Sequence, residues 1–263
     1  MRIIASFLLI ALLATSSHAG LLGYWRFDGD TNDSSGNGNN GQLTDGASLS
    51  DDVPSVFSGG QSLALAGGTQ HVLVPHDTSL DVTSSMTITA WVKPVGDVEW
   101  DGVLAKSPSD GSGANHAGNY ELRIENGSRK PHFLYQRGGV DDTVFPIAPT
   151  AAVPEGSWSH LAVTVQAGGT VDYYLNGAFV ESAAEAVEAT FGATNTSPLY
   201  IGSRADLFTT FDGLIDEVAI FDEVLPAARI QEISTGVLIP EPSSVALACL
   251  AASLLLLRRQ RRP

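Results

Sequence analysis

Met86-Thr-Ile-Thr-Ala-Trp-Val92 puts Met86, Ile88, Ala90 and Val92 on one face and Thr87, Thr89 and Trp91 on the other. A period of two is the spacing of a strand with one side turned to a core. Leu161-Ala-Val-Thr-Val165 repeats it, with Leu161, Val163 and Val165 co-facial. Working outward, short runs rich in Val, Ile, Thr, Tyr, Phe and Trp recur between turn signals, in a chain that holds 27 glycines. They predict strands over 23–28, 61–66, 70–74, 86–93, 103–106, 120–125, 132–136, 158–166, 170–175, 178–182, 198–201 and 211–221. Asn176-Gly177 predicts a two-residue hairpin, because both residue types tolerate positive φ. The only helical pattern in the body is 226–233, with Pro226 near its start and Gly236 after its end. No βαβ alternation occurs, so the fold class is all-β, a sandwich or a barrel, and alternation with one apolar side fits a two-sheet antiparallel sandwich.

The two ends differ from the body. Arg2 followed by an apolar run, with Ser17-His18-Ala19 before Gly20, predicts a secretory signal over 1–19. At the other end, Pro240-Glu241-Pro242 precedes the apolar run 245–257, and Arg258-Arg259-Gln260-Arg261-Arg262 follows it. Thirteen residues make a helix of roughly 20 Å, short of the ~30 Å hydrocarbon layer, although flanking arginines let such a segment insert by snorkelling. The positive end belongs on the cytoplasmic side, which leaves the body outside. This three-part tail resembles the PEP-CTERM sorting signal of bacteria. That resemblance implies recognition by an exosortase-type membrane transpeptidase, after a signal peptidase has acted at the other end. A plain single-span anchor is the alternative. Both place the body at the cell surface or in the extracellular matrix. The domain reading is a signal at 1–19, one body at 20–236 and a sorting or membrane segment at 237–263.

Of 14 basic residues five lie in the ends, and of 29 acidic residues one does, so the body carries a net charge of −19. Phosphate backbones repel such a surface, which argues against nucleic acid and leaves cations, sugars and proteins as partners. The single cysteine, Cys249, lies in the tail. The body therefore holds no disulfide, thiol nucleophile or cysteine–zinc site, and is stabilised by core burial.

The body also has a recognisable order of segments. Leu22-Gly-Tyr-Trp-Arg-Phe-Asp28 is followed by the Met86–Val92 strand, Trp158-Ser-His-Leu-Ala-Val-Thr-Val165, Tyr174-Leu-Asn-Gly177 and finally Gly213-Leu-Ile-Asp-Glu-Val-Ala-Ile-Phe221. The order resembles laminin-G-like, concanavalin A-type jelly-roll domains. The resemblance implies carbohydrate or protein ligands, often with calcium, and places Trp25, Trp91 and Trp158 in the core. Ligands vary widely on this fold, so function has to be argued from the site.

The first loop, 28–40, is rich in Asp, Asn and Gly. Asp28, Asp30, Asn32 and Asp33 supply oxygens of the kind calcium takes. Asp216, read as lying on the apolar face of Leu214, Val218 and Ile220, joins them if the first and last strands are neighbours. An EF-hand is rejected, because Asp33 stands where glycine is needed and Asn39 where the bidentate glutamate belongs. The alternative is a turn whose Asp and Asn side chains cap local backbone groups. Gly36-x-Gly38-x-x-Gly41 opens no helix and lacks the setting of a dinucleotide site.

No nucleophile elbow, histidine cluster or alternating acid triplet points to catalysis, so the chain reads as non-enzymatic. A glycoside hydrolase or lyase with acids brought from distant strands is the alternative. For ligand binding, Trp100, Asp101, Asn115, Tyr120 and Tyr135 are the candidates. Aromatics stack on sugar rings while Asp and Asn bond hydroxyls, and 96–118 is the longest irregular stretch. The expected partner is an extracellular glycan or protein.

Overall fold

The computed structural model describes residues 20–96, 100–107, 119–125, 127–136, 143–144, 150, 152–183, 187–188, 194–237 and 239. The signal reading at 1–19, the tail motif Pro240, Glu241 and Pro242, and Asn115 lie outside them. Among the described residues no helix is long and apolar enough to cross a membrane.

The elements are β1 (Leu21–Trp25), β2 (Gln42–Thr44), β3 (Ser48–Ser50), β4 (Ser62–Ala66), β5 (His71–Val74), β6 (Met86–Pro94), β7 (Trp100–Lys106) and β8 (Tyr120–Glu125). They continue with β9 (Pro131–Gln136), β10 (Thr143–Val144), β11 (Ser159–Val165), β12 (Val171–Leu175), β13 (Ala178–Ser182), β14 (Leu199–Ile201), β15 (Asp212–Phe221) and helix α1 (Ala227–Ser234). Two sheets result. The eight-stranded sheet runs β13-β12-β11-β6-β15-β4-β3, with β1 also on β15; the seven-stranded sheet runs β10-β9-β8-β7-β14-β5-β2. Strand pairing is antiparallel throughout, as the alternating pattern requires.

Met86, Ile88, Ala90 and Val92 enter the core between the sheets, with Leu161, Val163 and Val165 beside them. Trp25 and Phe27 lie in the same core. Asn176 and Gly177 turn the β12–β13 hairpin at φ 50° and 79°. A side chain at position 177 would strike Ser234, so that hairpin also seats α1. A second apolar cluster lies outside the eight-stranded sheet, where Ile230 and Ile233 of α1 cover Tyr24, Ala162, Tyr174, Ala219 and Phe221.

Several expectations change. Trp100 and Asp101 belong to β7 and not to an irregular stretch. Strands β2, β3 and β10 have two or three residues, too few for an alternation to register. Trp158 is half-buried and donates its indole N–H to Asp52 at 2.8 Å, outside the core clusters. The largest change is in β15. Its register with β6 slips between Asp216 and Ala219, and Glu217 has φ 49°. This bulge inserts one residue and reverses the side-chain phase. Ile215, Val218 and Ile220 therefore point into the core, so Asp216 does not share a face with Val218 and Ile220.

Candidate functional site

The acidic loop folds on itself. Asp33 Oδ1 accepts the Tyr24 N–H at 2.9 Å and the Ser35 N–H at 2.8 Å. Its Oδ2 accepts the Ser35 hydroxyl at 2.7 Å and the Asn39 N–H at 3.0 Å. Asp30 takes two bonds from Asn32, at 2.9 and 2.6 Å. Asp28 pairs with Arg26 at 2.6 Å and accepts the Gln61 N–H at 3.1 Å. These are the local caps that Asp and Asn make in turns.

The first and last strands are neighbours, as expected, and Asp28 helps to raise Asp216. The cation that faces these acids is Arg26, whose Nε lies 3.7 Å from Glu217 Oε1. Burial, then the neighbouring Glu217, pushes Asp216 up to about 9; burial pushes Glu217 up to about 7, against the Tyr24 hydroxyl and Arg26 that hold it down. Among the described residues no group of three or more His, Cys, Asp or Glu is placed to hold a metal. The Asp28, Asp30 and Asp33 carboxylates thus serve local N–H, O–H and guanidinium groups, which is the turn-capping alternative.

The ligand candidates separate. Tyr120 and Tyr135 are fully buried in the inter-sheet core, so neither ring is open to a sugar. Tyr120 donates its hydroxyl to the Leu80 carbonyl at 3.1 Å, and Tyr135 accepts the Glu188 N–H at 3.4 Å. Asp101 is also buried, paired with Arg129 at 3.0 Å, and pushed by burial up to about 7. It also accepts the Asp212 N–H at 3.3 Å, which ties β7 to β15 of the other sheet. Trp100 alone is half-buried and lies on the outer face of the seven-stranded sheet, opposite Glu125.

That face carries a cluster. In β8, Tyr120, Leu122 and Ile124 face the core, so Glu121, Arg123 and Glu125 face outward. His132 of β9 pairs with Arg123, and Gly102 of β7 lies on Arg123's other side. A side chain at 102 would meet Thr209 at 2.7 Å and Ser203 at 3.3 Å. The glycine thus lets segment 203–209 lie across the sheet, which brings Arg204 to Glu121. The Arg123 and Arg204 guanidiniums stand 3.7 and 3.6 Å from the two Glu121 oxygens. Arg123 lies over the Trp100 ring, 3.8 Å from its centre, and Arg204 over the Phe208 ring at 4.8 Å. One buried carboxylate therefore ties together two arginines, and each arginine backs an aromatic ring.

The electrostatics follow from burial. Burial raises Glu121 while the two arginines oppose that, and burial lowers Arg123. Arg204 is raised in spite of burial, because Asp206 and Glu121 face it. Burial, then Arg123, lowers His132 to about 4, so its ring is neutral at pH 7. Asp206 grips Arg204 at 2.6 and 2.7 Å and caps the Phe208 N–H at 3.0 Å. At the tip, Leu207 has φ 60° and is 39% exposed, and Phe208 is 49% exposed. A β-turn that holds a leucine at positive φ to display an aromatic ring stores strain of the kind found at binding sites. Glu121 and Arg123 were readable in Tyr120-Glu-Leu-Arg-Ile-Glu125, whose odd positions alternate with core residues. Arg204 lies about 80 residues further on and carries no such signal, whereas Phe208 is readable as an aromatic in a turn-rich segment.

Several solved structures share this architecture. Domain 4 of AbnA, a GH43 extracellular arabinanase from Geobacillus stearothermophilus, solved in complex with arabinotriose, has a TM-score of 0.61 at 22% identity, over 82% of this chain and 98% of that one. The binding domain of Paraclostridial Mosquitocidal Protein 1 has a TM-score of 0.60 at 14% identity, over 82% of this chain and 52% of that one. The binding domain of Botulinum neurotoxin DC, in complex with rat synaptotagmin II, has a TM-score of 0.59 at 13% identity, over 84% and 52%. In sequence, 154 residues are 24% identical to adhesion G-protein coupled receptor V1 of Danio rerio, which is 58% of this chain but only 2% of the receptor. Residues 66–231 match the Laminin_G_3 family, described as the concanavalin A-like lectin/glucanases superfamily, and the chain belongs to it.

Proposed function

We propose that this chain is an exported, non-enzymatic module that binds extracellular carbohydrate on the outer face of its seven-stranded sheet. The ligand stacks on Phe208 and Trp100. The observation that carries this reading is the linked set Trp100–Arg123–Glu121–Arg204–Phe208, in which buried charges back the exposed Phe208 ring and the half-buried Trp100 ring. Flat aromatic faces with fixed polar neighbours are what sugar rings select. The arabinotriose complex of the AbnA domain supports the ligand class, and the receptor complex of the neurotoxin domain supports a binding role. Export and surface sorting rest on the signal at 1–19 and on the tail with Pro240, Glu241 and Pro242.

The test is a glycan array probed with the wild-type chain, Phe208→Ala and Trp100→Ala. Wild type is expected to retain a defined set of saccharides. Phe208→Ala is expected to lose at least about tenfold in affinity, the loss of one stacked platform, with its melting temperature within about 2 °C of wild type, because the ring is exposed. An array with no signal above background, or variants that bind as wild type does, sinks the reading.

A further inference from the structure

Lys106 ends β7 and pairs with Tyr120, so its side chain turns inward, and none of the residue is exposed. Its Nζ lies 2.8 Å from Asp81 Oδ1 and 3.1 Å from the Ser197 carbonyl oxygen. It is also 3.2 Å from the Asn195 carbonyl, 3.3 Å from Asn195 Oδ1 and 3.3 Å from His76 Nδ1. Five acceptors thus converge on a group that has three N–H bonds to give. The cage is held in place by its own bonds. The Asn195 amide nitrogen donates to the Lys106 carbonyl at 3.2 Å, and Asn195 Oδ1 accepts the Ser197 N–H at 2.9 Å. Asp81 follows a 3-10 turn, Thr78–Leu80, and its N–H bonds the Thr78 carbonyl at 3.2 Å.

More acceptors than donors, arranged around one point, is the geometry of a bound spherical cation. The charge balance sets the class. One carboxylate among carbonyl, amide and imidazole donors matches a monovalent cation, whereas calcium is held by more oxygens, usually with several carboxylates. We propose that the Lys106 ammonium fills a monovalent-cation site built from His76, Asp81, Asn195 and Ser197, and that this site accepts an external cation once the lysine side chain is removed. The tethered cation joins the segments at 76–81 and 195–197 to the end of β7. It closes this rim of a disulfide-free body whatever the ions outside. The proposal stands independently of the carbohydrate reading.

Lys106→Ala removes the ammonium and leaves the cage. Thermal unfolding of the full chain is compared in choline, potassium and ammonium chloride at equal ionic strength. Wild type is expected to melt at one temperature in all three. Lys106→Ala is expected to melt roughly 10 °C lower in choline, as for a broken buried ion pair, and to regain about half of that in potassium or ammonium. Lys106→Met, whose apolar chain fills the space, is expected to stay low in every salt. An alanine variant that loses no stability, or melts alike in choline and ammonium, overturns the proposal. Should Lys106→Ala not yield folded protein, Lys106→Met/Asp81→Asn decides. It is expected to melt above Lys106→Met, because the carboxylate no longer lacks its cation, and a double variant no more stable than the single one overturns the proposal.

Discussion

Outside the eight-stranded sheet, apolar contact closes the surface. Helix α1 lays Ile230 and Ile233 over Tyr24, Tyr174, Ala219 and Phe221, and Thr87 fixes the approach to the helix by donating to the Glu223 carbonyl at 2.6 Å and accepting the Leu225 N–H at 2.9 Å. Outside the seven-stranded sheet, segment 203–209 lies across Gly102 and brings charge. Arg204 meets Glu121 and Arg123, with Phe208 left in solvent. Both covers bury their sheet. The apolar one is non-directional and stabilises by the area it removes from water, whereas the charged one is stable only if every partner is present. On the proposed reading, the first face is structural and the second binds the ligand.

The strongest way to break this contrast is at Glu121. Glu121→Gln removes the carboxylate that the Arg123 and Arg204 guanidiniums share, although Asp206 still holds Arg204, and is expected to lower unfolding stability by about 3–5 kcal/mol in urea titrations. A loss below about 1 kcal/mol would mean that the charges do not hold this face. Next is Ile230→Ala, which opens a cavity under α1. It is expected to lower stability by about 2–4 kcal/mol and to leave glycan binding unchanged, since α1 lies on the outer side of the other sheet. A binding defect in this variant would contradict the division of roles.

The smallest expected effect is in pH. Native Glu217 keeps its proton up to about pH 7, against an ordinary value of 4.5, so between those limits the native state holds more protons than the unfolded chain. Stability therefore falls as pH rises through that window, and Asp216, raised from 3.8 to about 9, extends the fall. Burial lowers His132 from 6.5 to about 4 and His160 to about 3, so below about pH 6.5 the unfolded chain takes the protons and stability falls toward acid. Urea titrations at pH 5, 7 and 9 are expected to show Glu217→Gln losing less stability than wild type across this range, by on the order of 2 kcal/mol. Equal losses would show that Glu217 ionises without strain on its face. The sharpened comparison is then one of kind. The eight-stranded sheet's outer face is weakened by alkali through two buried acids, and the other face depends on one carboxylate and two arginines that need one another.

Much of the frame was legible along the chain. Period two assigned Met86, Ile88, Ala90 and Val92, and Leu161, Val163 and Val165, to the core. The Asn176-Gly177 turn and the 226–233 helix stand where the local signals place them, within a residue. Such readings succeed because backbone geometry repeats over two to four residues, so the signal and the structure have the same range. The candidate site was legible only in part. Trp100 was found, whereas Tyr120 and Tyr135 lie in the core, because an aromatic ring at a strand end reads the same whether it packs or stacks.

What the sequence by itself determined is the class of fold, the faces of β6 and β11 and the acidic, cysteine-free character of the body. Tertiary structure alone decided the rest. The bulge at Glu217 reversed the phase of β15, Gly102 admitted the segment that carries Arg204 to Glu121, and Lys106 found Asp81 and Asn195 across 25 and 89 residues. Each depends on where distant strands pair. That pairing is set by the burial energy of the whole core and leaves no mark on neighbouring residues.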